Sequence, residues 1–131
     1  MPYISSFYAA LVGVLCVVLS VMVIRMRVSK RISIGDGADQ TMSRMTRVFG
    51  NFVEYAPLVV ILLVLAEMLG ASKIWLHVFG IAFILGRIAH AIGLYRTLGI
   101  NPGRTIGVVA TLGTILGLSI TILTTTLPKV L

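Results

Sequence analysis

Charge is scarce in this chain of 131 residues, and acidic charge is scarcest: 11% of residues are charged, with 4 Asp and Glu against 11 Lys and Arg. A soluble domain carries roughly a quarter of its residues as charges, so the composition excludes a soluble globular fold. A single cysteine, Cys16, excludes an internal disulfide. Lying inside an apolar run, it reads as a small packing residue and says nothing about redox compartment. There is no internal repeat and no low-complexity tail. No metal site is expected.

What is abundant is hydrocarbon. Hydrophobic residues make up 58% of the chain and its mean hydropathy is +1.06. Four apolar runs have the length needed to cross a bilayer, on the order of 20 residues each. The spacing predicts helices over about 3–28, 40–69, 73–96 and 104–127. The expected fold is all-α: an integral membrane four-helix bundle with antiparallel neighbours, one transmembrane domain over residues 1–131. Little room is left for a separate soluble catalytic domain, so any activity must be built from the helices and their short connections. The first run has no basic residue before it and Arg25, Arg27, Lys30 and Arg31 directly after it, the pattern of a retained helix rather than of a cleaved signal.

Punctuation divides the chain. In "SIGDGADQ", Gly35 and Gly37 around Asp36 are turn chemistry, and Asp39 is placed to cap the second helix. That helix, at roughly 30 residues and about 45 Å, exceeds a bilayer core, so its first third projects beyond the hydrocarbon. Pro57 inside it removes a backbone donor and predicts a bend. "GASK" is a tight turn, "TLGINPG" is a loop, and Pro102 and Gly103 precede a fourth helix expected to start near Arg104. Gly107, Gly113 and Gly117 lie on small-residue spacings that permit close helix contact.

The basic residues are unevenly spread. Arg25, Arg27, Lys30, Arg31, Arg44 and Arg47 lie between helices 1 and 2, and Arg96 and Arg104 between helices 3 and 4, against only Lys73 and Lys129 on the other side. The positive-inside rule then turns both basic connections to the cytoplasm and both termini away from it. The formal charge of +7 suits anionic headgroups or an anionic ligand. Nucleic acid is not an expected partner for a chain with so little exposed protein.

Ionisable groups inside membrane segments are expensive and so point to function. On helix 2, Arg44, Arg47, Asn51 and Glu54 follow i, i+3, i+7, i+10 and share about one quadrant. On helix 3, Arg87 and His90 stand one turn apart, in the same half of the membrane. The plain reading is structural: a Glu54–Arg87 ion pair, a bridging Asn51 and a satisfied His90. That pairing still leaves Arg25, Arg27, Arg44, Arg47 and Arg104 in excess, with only Asp36 and Asp39 nearby. Surplus guanidinium seeks carboxylates or phosphates from elsewhere, and Glu54 among them suits a ligand that also carries an amine. His77 and Trp75 read as interfacial anchors, as do Tyr95 and Arg96, and Glu67 as a carboxylate reaching headgroups.

Arg47, Asn51, Glu54, Tyr55 and Pro57, in the form R-x-x-x-N-x-x-E-Y-x-P, resemble the signature of the MAPEG superfamily, the microsomal glutathione transferases and their relatives. "GRIAHAIG" resembles that family's Arg-x-x-His or Arg-x-x-Tyr segment, and Arg104 stands where the family keeps an arginine at the start of helix 4. With "GDG" in the first loop, the chain is most similar to the small bacterial branch. The resemblance implies a homotrimer in a bacterial inner membrane, with glutathione between subunits and open to the cytoplasm. Residue by residue it implies that Arg47, Asn51 and Glu54 hold the glutathione backbone, that Tyr55, Arg87 and His90 add contacts, and that Arg25 or Arg27 reaches in from helix 1. Arg104 would face the sulfur as the catalytic residue, since a nearby cation lowers a thiol pKa and the thiolate is the nucleophile. Two departures stand out: Leu94 and Val108 occupy positions that are tyrosine in some relatives, and Thr105 is a candidate for the missing hydroxyl.

The reading is a glutathione transferase or peroxidase acting on a lipophilic electrophile from the bilayer, with glutathione as co-substrate and no metal. The alternative is a glutathione- or lipid-binding scaffold of the same fold. A small multidrug-type transporter, the third possibility, would present an acidic pocket to its cations, and this pocket is basic.

Overall fold

A computed structural model describes residues 1–96 and 101–131. Its helices are α1 (Tyr3–Lys30), α2 (Gln40–Met68), α3 (Lys73–Arg96) and α4 (Pro102–Val130), with no strand among the described residues. All four are long and apolar enough to cross a membrane. Residues 97–100 of the loop expected between α3 and α4 lie outside the described residues.

α2 is the central helix. Its buried residues Met42, Met45, Val48, Phe52, Ala56, Val59, Leu63 and Ala66 recur every three or four positions, one continuous stripe. It packs against α1, α3 and α4, whereas α1 and α4 do not touch among the described residues. The helix passes unbroken through Pro57. Elsewhere the molecule turns its apolar side chains outward, Phe7, Val14, Ile61, Leu85, Val109 and Leu116 among them. Lipid is the natural solvent for such a surface.

Hydrophobic burial adds little between helices in lipid, so close van der Waals packing must supply the contact. At the α3–α4 seam it depends on glycine. A Cβ on Gly93 would lie 2.7 Å from the Arg104 amide nitrogen, and one on Gly107 would lie 2.9 Å from the His90 Cα. Gly117 takes the Phe79 ring, but Gly113 faces open space. The spacing of small residues in α4 therefore contains two packed positions and one outward one.

α4 begins two residues before the expected Arg104, because Asn101 caps it. The Asn101 side chain accepts from the Arg104 amide at 2.9 Å and donates to the Gly93 carbonyl at 2.7 Å, tying the helix start to α3. Pro102 takes the first helical position, where a missing N–H costs nothing.

The connection after α1 is dense in left-handed backbone: Arg31, Gly35, Gly37 and Ala38 all have φ between 55 and 70°. Asp36 accepts from the Ala38 amide at 3.0 Å, and Asp39 caps α2 by accepting from the Met42 amide at 2.8 Å. Asp39 also pairs with Lys30, the last residue of α1.

At the opposite end of α1, Glu67 does not reach headgroups as its sequence position suggested. Its two carboxylate oxygens accept from the Ile4 and Ser5 amides at 2.9 and 2.7 Å, so the end of α2 closes the start of α1. These are amides that a helix leaves unpaired. Nearby, the buried Tyr8 hydroxyl meets His77 Nδ1 at 2.9 Å, and its ring fills the space a Cβ on Gly80 would need. His77, expected as a simple interfacial anchor, is thus also a partner of α1.

Candidate functional site

The expected Glu54–Arg87 ion pair is absent: the sole ion pair among the described residues joins Lys30 and Asp39. Arg87 and His90, on the face of α3 turned to the interior, are 2% and 3% exposed. The Arg87 guanidinium is occupied by neutral groups from three helices. Nη2 donates to Asn51 Oδ1 on α2 at 2.7 Å and approaches His90 Nδ1 at 3.1 Å, while Nη1 donates to Thr111 Oγ1 on α4 at 3.3 Å. Since a guanidinium only donates, His90 Nδ1 accepts, and the ring of a neutral His90 then carries its proton on Nε2. Glu54, about 60° around α2 from Asn51, is exposed.

The motif residues therefore fall into two sets. Asn51, Arg87 and His90 form a buried cross-link, and Arg47, Glu54, Arg104 and Thr105 are exposed. Tyr55 joins the first set around a small cavity of about 20 Å³, whose walls are Asn51, Tyr55, Arg87, Val108, Thr111 and Leu112. That volume holds one water. It also fixes the pairing of α2 with α4: residues 51 and 55 stand opposite 108, 111 and 112. Arg47 and Arg104 each come one turn earlier, four residues before Asn51 and Val108.

Arg25 is exposed at the end of α1, and Arg27 donates to the Gly35 carbonyl at 2.9 Å, where it closes the first loop. Neither is in hydrogen-bond contact with the other candidate residues. Arg44 is half-buried, and its Nε has no partner among the described residues. Leu94 is buried and Val108 forms cavity wall. Sequence reasoning missed Thr111, the acceptor that brings α4 into the Arg87 network. Its signal was present: a threonine in an apolar run, seven residues after Arg104 and so on nearly the same helix face.

The arrangement is an open-sided polar face over a rigid buried core. Four guanidinium-bearing positions, Arg25, Arg44, Arg47 and Arg104, serve no ion pair among the described residues, and a cavity the size of one water cannot enclose a peptide.

A family model described as "MAPEG family" matches residues 5–124. The inner membrane protein YecN of Escherichia coli (strain K12) is 35% identical over 95 residues, covering 72% of each chain, and YecN of Escherichia coli O6:H1 matches to the same extent.

Proposed function

The chain belongs to the MAPEG family, and from that premise we propose a membrane-bound glutathione transferase or peroxidase, a multi-pass inner membrane protein that directs the glutathione thiolate at lipophilic electrophiles. The observation that carries this reading is the exposed band of Arg47, Glu54, Arg104 and Thr105 beside the Arg87–Asn51–His90 core. Glutathione has two carboxylates for the arginines and one ammonium for Glu54, which matches the surplus of guanidinium with a single acid among it.

Arg47, Asn51 and Glu54 hold the peptide backbone, Tyr55 and His90 add hydrogen bonds, Arg25 or Arg27 approaches from α1, and Thr105 supplies a hydroxyl. Arg87 acts as the member that fixes Asn51 and His90 in place. Arg104 faces the sulfur and favours its deprotonated form. The thiolate then forms a bond to the electrophilic carbon, and the displaced group leaves with the bonding pair.

In this reading neighbouring helices run antiparallel in sequence order, both termini face away from the cytoplasm, and the open α2–α4 face is covered by a second copy in a homotrimer. The exposed Glu54 within a membrane-spanning helix supports that cover, since a bare carboxylate facing lipid is costly. Leu94 and Val108, apolar where some relatives carry hydroxyls, favour the second reading, a scaffold that binds glutathione or lipid without turnover.

Detergent-solubilised protein assayed with glutathione and a chromogenic electrophile separates the two. The expected result is turnover that falls by about 10²-fold in Arg104→Ala, the usual loss for one group stabilising developing charge, with Arg47→Ala weakening glutathione binding. Binding without turnover selects the scaffold. Unchanged kinetics in both variants would overturn the assigned roles.

A further inference from the structure

Arg87 carries a charge that no ion pair among the described residues meets, Glu54 acting on it only from beyond pairing distance. Its guanidinium is buried and keeps its proton throughout the physiological range. Its partners Asn51, His90 and Thr111 are neutral acceptors, and its Nε is buried with no partner at all. Dipoles solvate a charge but do not neutralise it, and a buried guanidinium without an ion-pair partner inside a membrane segment is strongly disfavoured.

The cavity beside Arg87 has the complementary chemistry. Asn51 uses its oxygen on Arg87, which leaves its amide N–H groups to spare. Thr111 has given its own proton to the Gly107 carbonyl at 2.8 Å. The Tyr55 hydroxyl makes no hydrogen bond among the described residues. What remains unused around the cavity is therefore mainly donor capacity, from Asn51, Tyr55 and Arg87. A water molecule would fill the volume of about 20 Å³ but would bring its own protons and no charge. A monoatomic anion of similar size accepts from every donor and cancels the guanidinium. Carboxylate, phosphate and sulfate are too large.

We propose that this cavity is a halide site, occupied by one chloride ion that neutralises Arg87. The site is defined by the buried charge and its donors, so it exists whether or not the protein turns over glutathione. Val108 and Leu112, both exposed, form its outer wall.

The test uses the full chain, purified in detergent without glutathione and exchanged into sodium gluconate, whose anion cannot enter. Thermal unfolding is followed while chloride or bromide is titrated at constant ionic strength. Both halides should stabilise the protein saturably. Tyr55→Phe should raise the halide concentration for half-maximal effect by about tenfold, the loss of one hydrogen bond to a charged group. Val108→Phe fills the cavity from its outer wall and should abolish the halide response, with circular dichroism and elution volume matching the native protein as the check that fold and assembly survive. A bromide-soaked crystal should give an anomalous peak between Asn51, Tyr55 and Arg87. Equal melting of the native protein in gluconate and chloride, or a halide response that survives in Val108→Phe, would overturn the proposal. Glutathione binding measured in gluconate keeps the two readings apart: binding with no halide effect sinks only the halide site, and a halide effect with no binding sinks only the glutathione reading.

Discussion

Asp39 does two things with one carboxylate: Oδ1 caps α2, and Oδ2 pairs with Lys30 at the end of α1. The Lys30 hydrogen bond, followed by that of the Met42 amide, holds the Asp39 pKa below the ordinary carboxylate value. A depressed pKa sets the sign. The contribution is complete above the ordinary value near 4 and disappears as pH falls through the lower, folded value. Hydrogen exchange at the Met42 amide, corrected for its intrinsic rate, should therefore lose protection on acidification below about pH 4. Asp39→Asn still caps, but it has no charge to lose and should give a flat profile over that range. Asp39 as a cap was legible from the glycine-rich turn before it; its link to Lys30 was not. The same holds at Arg87. Spacing along α2 and α3 brought Asn51, Arg87 and His90 into one group, because helical periodicity fixes relative angle and depth. Periodicity does not fix how far each helix is rotated in the bundle, so it could not tell that Glu54 faces out, that Thr111 faces in, or that neutral groups would occupy Arg87 in place of the acid.

Among the elements, α3 and α4 share the most extensive contact, and it is held by absent side chains. Gly107 lies so near Gly86 and His90 that a methyl group must push the helices apart, whereas Gly113 has nothing within 4 Å. Gly107→Ala should lower stability by about 1–3 kcal/mol, the usual cost of overpacking, and should disturb His90. Gly113→Ala should be neutral or slightly stabilising in this protomer, since alanine is the better helix former. Thermal unfolding of the two variants side by side checks the contrast. The four helices themselves were readable to within a few residues, because unbroken apolar runs leave little ambiguity. The start of α4 was not, since Asn101 earns its place as a cap through the Gly93 carbonyl on another helix.

For the molecule as a whole, the basic residues collect at the end of the bundle that holds the first connection, while "GASK" closes the other end. The proposed orientation rests on that asymmetry. In a Cys16→Ser background, Ser33→Cys should react with a membrane-impermeant maleimide only in inside-out vesicles, and Ala71→Cys only in right-side-out cells. The reverse pattern would invert the topology and move the proposed site to the wrong face. One tie joins distant parts of the chain: the Ile4 and Ser5 amides that open α1 wait for a carboxylate 63 and 62 residues further along. During synthesis the first helix enters the bilayer with its leading N–H groups unclaimed. Only after the ribosome has delivered Glu67 can the second helix return to close it, so insertion of α1 and completion of α1 are separate events in time.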